Sequence, residues 1–79
     1  MPSFVFHIRH GQYASDHTIE LPCADAARLE ASSMCVDMMR DIMTELEANP
    51  EWRMEVSDET GEPLYLFRFT AEAFKQPKQ

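Results

Sequence analysis

One amphipathic run, from about Asp25 to Leu46, has two short β-type segments on each side and occupies the middle of a 79-residue chain. Apolar residues Ala27, Ala31, Met34, Met38, Ile42 and Leu46 recur in three- and four-residue steps, the spacing that lines one face of a helix. Cys35, Met39 and Met43 widen that stripe. Asp25 sets a negative charge in the first turn, where it complements the helix dipole, and Asn49-Pro50 ends the run. Such a helix must bury its stripe, and the flanking segments are all the chain has to bury it against. The expected fold class is therefore α+β: a small antiparallel sheet of three or four strands, order ββαββ, with one helix packed on one face. Residues 1–79 form a single domain with a frayed tail over 70–79. A domain this small encloses no large pocket, so a deep catalytic cleft is not expected.

The β-type segments alternate. Phe4, Phe6 and Ile8 point one way and Val5, His7 and Arg9 the other. Gly11 interrupts the pattern, Gln12 to Asp16 reads as a loop, and alternation resumes over Thr18 to Leu21 with Ile19 and Leu21 inward. Trp52, Met54 and Val56 alternate against Arg53, Glu55 and Ser57, and Asp58-Glu59-Thr60-Gly61-Glu62-Pro63 carries turn chemistry. The last segment, Leu64 to Phe69, is apolar on both faces. Leu66 is assigned to the core, and Tyr65, Phe67 and Phe69 to a second face that needs its own cover, from a second copy or from the tail around Phe74. The expected core is Phe4, Phe6, Ile8, Ile19, Leu21, Ala27, Met34, Met38, Ile42, Leu46, Trp52, Met54, Val56 and Leu66. Strand order is left open.

Charge narrows the partners. The chain carries seven Lys and Arg against 14 Asp and Glu, a net −7, and its basic residues are scattered in sequence. Nucleic-acid binders need clustered cations to displace counterions from phosphate, so neither nucleic acid nor an anionic membrane is expected. The apolar runs are too short to span a bilayer, and the N-terminal residues have no basic and apolar export pattern, which makes the cytoplasm the expected compartment. Cys23 and Cys35 lie 12 positions apart. Along a helix that is about 18 Å, against the roughly 7 Å that a disulfide spans. Both thiols are expected free.

Three constellations invite chemistry. Arg9-His10-Gly11 resembles the signature that opens histidine phosphatases, where the histidine accepts the phosphoryl group and the arginine holds it. That chemistry needs a second histidine and further arginines on a larger α/β scaffold, so the match is read as coincidence and the chain as a non-enzyme, with no cofactor and no catalytic residue assigned. His7, His10, His17 and Cys23 are the candidate metal ligands. Their spacing lacks close pairs, and His7 and His10 fall on opposite faces of a regular strand, so no metal is assigned. Cys23 also stands where a helix dipole favours a thiolate. The Asp37, Asp41 and Glu45 column at four-residue spacing reads as a solvated helix face.

The order of motifs, Phe4-Val5-Phe6-His7, a Gly turn, Glu20-Leu21-Pro22, Ala26-Ala27-Arg28, then Trp52 through Gly61, resembles a family of short bacterial proteins common in rhizobia-like genomes, a domain of unknown function. The resemblance spans about residues 2 to 70 and implies the same small fold without an assigned activity. This chain has His10-Gly11 where that family usually has Asp-Gly, Cys23 where an acidic or polar residue is usual, and Thr18 near a common glycine. The expected function is a non-enzymatic, self-associating protein-interaction module, a homodimer through Tyr65, Phe67 and Phe69. The alternatives are an antitoxin-like or regulatory domain that masks a partner, faintly similar to partial RNase H-like antitoxins, and a small metal- or phosphate-dependent enzyme using His10 and Arg9.

Overall fold

The computed structural model describes residues 1–72 and arranges them in the order β1 (Ser3–His10), β2 (Tyr13–Glu20), α1 (Ala24–Asp37), α2 (Met39–Ala48), β3 (Glu51–Asp58) and β4 (Pro63–Thr70). The strands form one antiparallel sheet in the order β2-β1-β3-β4. The two hairpins thus lie side by side, with β1 and β3 at the centre. The expected α+β class holds. The ββαββ order with a single helix does not: there are two helices, giving ββααββ.

The helical run breaks at Met38, whose φ −98 and ψ 5 leave the helical well, although its N–H still donates to Met34 O and Ile42 N–H donates to Met38 O at 2.9 Å. Four-residue steps explain the bend. Each advances about 400°, so a stripe built from them drifts about 40° per step around a straight helix. Ala27, Ala31 and Cys35 are buried along α1, and Ile42 along α2, so the bend returns the drifting stripe to the sheet. Cys35 takes the central place expected of Met34, which is half-buried with Met38 and Leu46. Met43 is half exposed, and Leu29 and Val36 of α1 are exposed as well.

The first hairpin is tighter than a Gln12–Asp16 loop would make it. His10 pairs with Tyr13 across a two-residue turn, and β2 begins at Tyr13. Gly11 holds φ +56 there while Gln12 stays at negative φ, the pattern of a II′ turn that suits the sheet's twist. At the second turn, the Asp58 carboxylate accepts from the N–H of Thr60 at 2.9 Å, from the Thr60 hydroxyl at 2.6 Å and from the N–H of Glu62 at 3.0 Å, with Gly61 at φ +91.

The core lies between the helices and one face of the sheet. Phe4, Phe6 and Ile8 of β1 meet Trp52, Met54 and Val56 of β3, all buried. Ile19 and Leu21 are half-buried at its margin. The faces of β4 are exchanged relative to expectation. Val56 pairs with Tyr65, Met54 with Phe67 and Trp52 with Phe69, which puts Tyr65, Phe67 and Phe69 on the helix-covered face, half-buried, with the rings of Phe69 and Trp52 edge to face at 5.7 Å. Leu66 looks out from the other face and is 48% exposed. The cause is a register irregularity at Val56/Ser57, which cannot be read from alternation in a strand apolar on both sides. β4 runs through Thr70, and Ala71 N–H donates to Pro50 O at 3.3 Å, so the chain stays on the sheet past the expected start of the tail. The fraying expected of the last residues, and the cover expected from Phe74, lie outside the described residues.

Trp52→Ala should cost about 3–5 kcal/mol, because it empties a site that its neighbours cannot collapse into. Gly11→Ala should cost about 1 kcal/mol or more, from the positive φ and from a Cβ placed 2.8 Å from Asn49 Oδ1. Urea midpoints measured by circular dichroism check both, and an unchanged midpoint for either would contradict the packing described.

Candidate functional site

Among the described residues, no helix lies over the second face of the sheet, and the centre of that face is polar. Strand alternation sends His7 and Arg9 of β1 and Arg53, Glu55 and Ser57 of β3 to this side, because their neighbours Phe6, Ile8, Met54 and Val56 go to the core. The β1–β2 register adds Asp16, directly opposite His7.

These side chains form a chain of contacts. Asp16 Oδ1 lies 2.9 Å from His7 Nδ1 and 3.0 Å from Arg9 Nη1. His7 Nε2 lies 3.0 Å from Ser57 Oγ. A carboxylate can only accept, so Nδ1–H donates to Asp16, while Nε2 and the Ser57 hydroxyl share the second hydrogen bond. The hydrogen bond from His7, then that from Arg9, hold the Asp16 carboxyl below its ordinary value. Arg9 Nη1 also donates to Ile8 O at 2.9 Å and Ser15 O at 3.1 Å, which ties the guanidinium down against β2.

An Asp–His–Ser sequence of this kind is the arrangement that activates a serine nucleophile. Here Ser57 is only 3% exposed, at the strand irregularity, and its hydroxyl is engaged by the His7 ring. What the relay does is satisfy a buried hydroxyl and lock the His7 ring. Beside it, a shallow depression of about 310 Å³ is lined by His7, Arg9, Arg53 and Glu55. Another of about 280 Å³, at the end of β1, is lined by Arg9, His10, Gly11, Asn49, Pro50, Glu51 and Arg53.

The candidate residues from the sequence do not converge. His7 is on the open face and His10 on the helix-covered face, where its Nδ1 sits 3.1 Å from Glu45 Oε2 and its ring stacks on Tyr13 at 4.5 Å. Arg9 and His10, adjacent on one strand, therefore leave it on opposite sides, although both border the depression at the strand's end. His17 lies opposite Phe6 on β2, its Nε2 3.4 Å from Ser15 Oγ, and Cys23 is exposed at the start of α1. Among the described residues, no group of three or more His, Cys, Asp or Glu side chains is placed to hold a metal ion. Both cysteines are free, and burial pushes the Cys35 thiol up. Glu45 leaves the expected acidic column by turning to His10, while Asp37 and Asp41 stay exposed. No helix among the described residues is long and apolar enough to cross a membrane.

Arg53 and Ser57 carried no signal as site residues, since only the long-range β1–β3 register brings them to His7 and Arg9. Asp16 was accessible to reasoning. A two-residue turn at Gly11-Gln12 places it opposite His7 by counting outward from His10 and Tyr13.

Asp16 and Asp58 are both held below the ordinary carboxylate value of 3.8, Asp16 by His7 and Arg9, and Asp58 by Thr60 and the N–H groups of its turn. A depressed folded-state value means the unfolded chain binds protons first. The stabilisation is complete above the unfolded value and is lost as pH falls through the folded one. Urea midpoints followed from about pH 5 to pH 1 should fall steadily, and less steeply in Asp16→Asn and Asp58→Asn. Parallel acid limbs for parent and variants would remove these carboxylates from the account.

No curated protein and no solved structure gives a significant match to the chain. A family match covers residues 3–70, from the first residue of β1 to the last of β4, and so takes in the whole sheet and both helices. The chain belongs to the family described as a domain of unknown function, DUF6894.

Proposed function

We propose that this chain is a non-enzymatic protein-interaction module that self-associates through β4, with a second copy as the partner. The observation that carries this is the contrast between the two sheet edges. β2, Tyr-Ala-Ser-Asp-His-Thr-Ile-Glu, is polar along most of its length, as an edge that must stay unpaired should be. β4, Pro-Leu-Tyr-Leu-Phe-Arg-Phe-Thr, is apolar on both faces and equally an edge. Its free backbone groups can pair with a second β4, extending the sheet across a two-fold axis. That pairing brings a second helix layer toward Tyr65, Phe67 and Phe69, which one helix layer leaves half-buried, and it covers Leu66 from the side. A small domain with both cysteines free gains core in this way. The burial of Ser57 and the opposed directions of Arg9 and His10 support the non-enzymatic part of the proposal.

Because Phe67 faces the helices, Phe67→Asp would strain the monomer as well as the seam, and Leu66→Arg is the cleaner probe. Native mass spectrometry and sedimentation of the parent should give twice the monomer mass. Leu66→Arg should give the monomer with its circular dichroism intact and stability within about 0.5 kcal/mol of the parent, as for other exposed positions. A parent that stays monomeric at every concentration, or a Leu66→Arg dimer, would overturn the proposal.

A further inference from the structure

The open face carries a row of like charges that the fold does not need. Arg9 stands directly opposite Arg53, and Arg53 directly opposite Arg68, so three arginines cross β1, β3 and β4 side by side in a chain of net charge −7. Like charges directly opposite each other on adjacent strands destabilise a sheet. The outer two are compensated from other rows: Arg9 by Asp16 at 3.0 Å and Arg68 by Glu51 at 3.1 Å. Among the described residues, no carboxylate lies within 4 Å of the central Arg53.

Glu55 faces the same side two residues along the strand and is exposed. Two residues on a strand span about 6.6–6.8 Å, and the Arg53 and Glu55 charges do not close on each other. Both line the depression of about 310 Å³, with His7 and Arg9 on its β1 side. One wall therefore offers guanidinium donors and the other a carboxylate acceptor. His7 cannot swing away, because Asp16 and Ser57 hold both its ring nitrogens.

We propose that this depression is a binding site for a small zwitterion of the amino-carboxylate class, an α-amino acid or the like. Its carboxylate sits on Arg53 and the free side of Arg9, and its ammonium on Glu55. Two charge-assisted hydrogen bonds of about 2.8 Å, one to each end of the ligand, bridge the gap that keeps Arg53 and Glu55 apart. A guanidinium fork favours a carboxylate, and Glu55 and Asp16 beside it disfavour a multiply charged anion. The site is centred on β1 and β3, one strand in from the proposed β4 seam, so it stands whether or not the chain dimerises.

Titration of the isotopically labelled full chain by two-dimensional NMR tests this, with glycine as the probe and acetate, methylammonium and inorganic phosphate as comparators. Glycine should shift His7, Arg9, Arg53 and Glu55 signals to saturation and bind about tenfold or more tightly than acetate or methylammonium, the worth of one charged hydrogen bond. Arg53→Gln and Glu55→Gln should each lose that margin, while Arg68→Gln keeps it. Both test positions are exposed, and Arg53→Gln relieves the like-charge row, so its thermal midpoint should not fall. Shifts that never saturate, glycine no tighter than acetate, or binding unchanged in both variants would overturn the proposal. Phosphate binding more tightly than glycine would do so too, and would mark a plain oxyanion site.

Discussion

The antiparallel pairing of β1 with β3 is the contact on which everything else rests. It sets Phe6 opposite Val56 and Ile8 opposite Met54, and so builds the apolar platform that the helices cover. The same register, one residue out of phase, sets Val5 opposite Ser57, His7 opposite Glu55 and Arg9 opposite Arg53 on the other side. With a side-chain period of two, core and polar site are the two faces of one register, and a slip by a single residue would exchange them.

That coupling orders the polar face, which no other described element covers. His7 is held at both ring nitrogens, Asp16 is shared between His7 and Arg9, and Ser57 is engaged by His7. Each interaction is modest, since exposed ion pairs contribute about 0–1 kcal/mol. Rigidity comes from the strands beneath, which are buried on their far side. The outer face of the helices is less covered: Leu29 and Val36 line a depression of about 300 Å³, and Met43 is also exposed.

The two edges of the sheet are managed differently. On β2, polar residues and the tight turn at Gly11 leave little for another strand to gain. On β4 the aromatic residues lie at the limit of the helix layer, and the irregularity at Val56/Ser57 turns Leu66 outward. An apolar strand at an edge is costly to leave uncovered, which gives the β4 seam its physical motive.

Much of this was legible in the chain itself. The three- and four-residue apolar spacing from Ala27 to Leu46, the alternation in Phe4–Ile8 and Trp52–Val56, and the Asp58–Gly61 turn each reflect a local preference, and helical, strand and turn structure appear there, though the helical run is two helices and not one. The break at Met38 was not legible, because it answers the drift of the stripe over a sheet that alternation alone does not orient. Nor were the faces of β4, since a strand apolar on both sides satisfies either register locally. The Arg9–Arg53 pair and the His7–Ser57 contact join residues more than 40 positions apart. Sequence determined which side chains leave each strand on the same side; only the tertiary pairing of β1 with β3 decided which of them meet, because that pairing is chosen by burial of the opposite face.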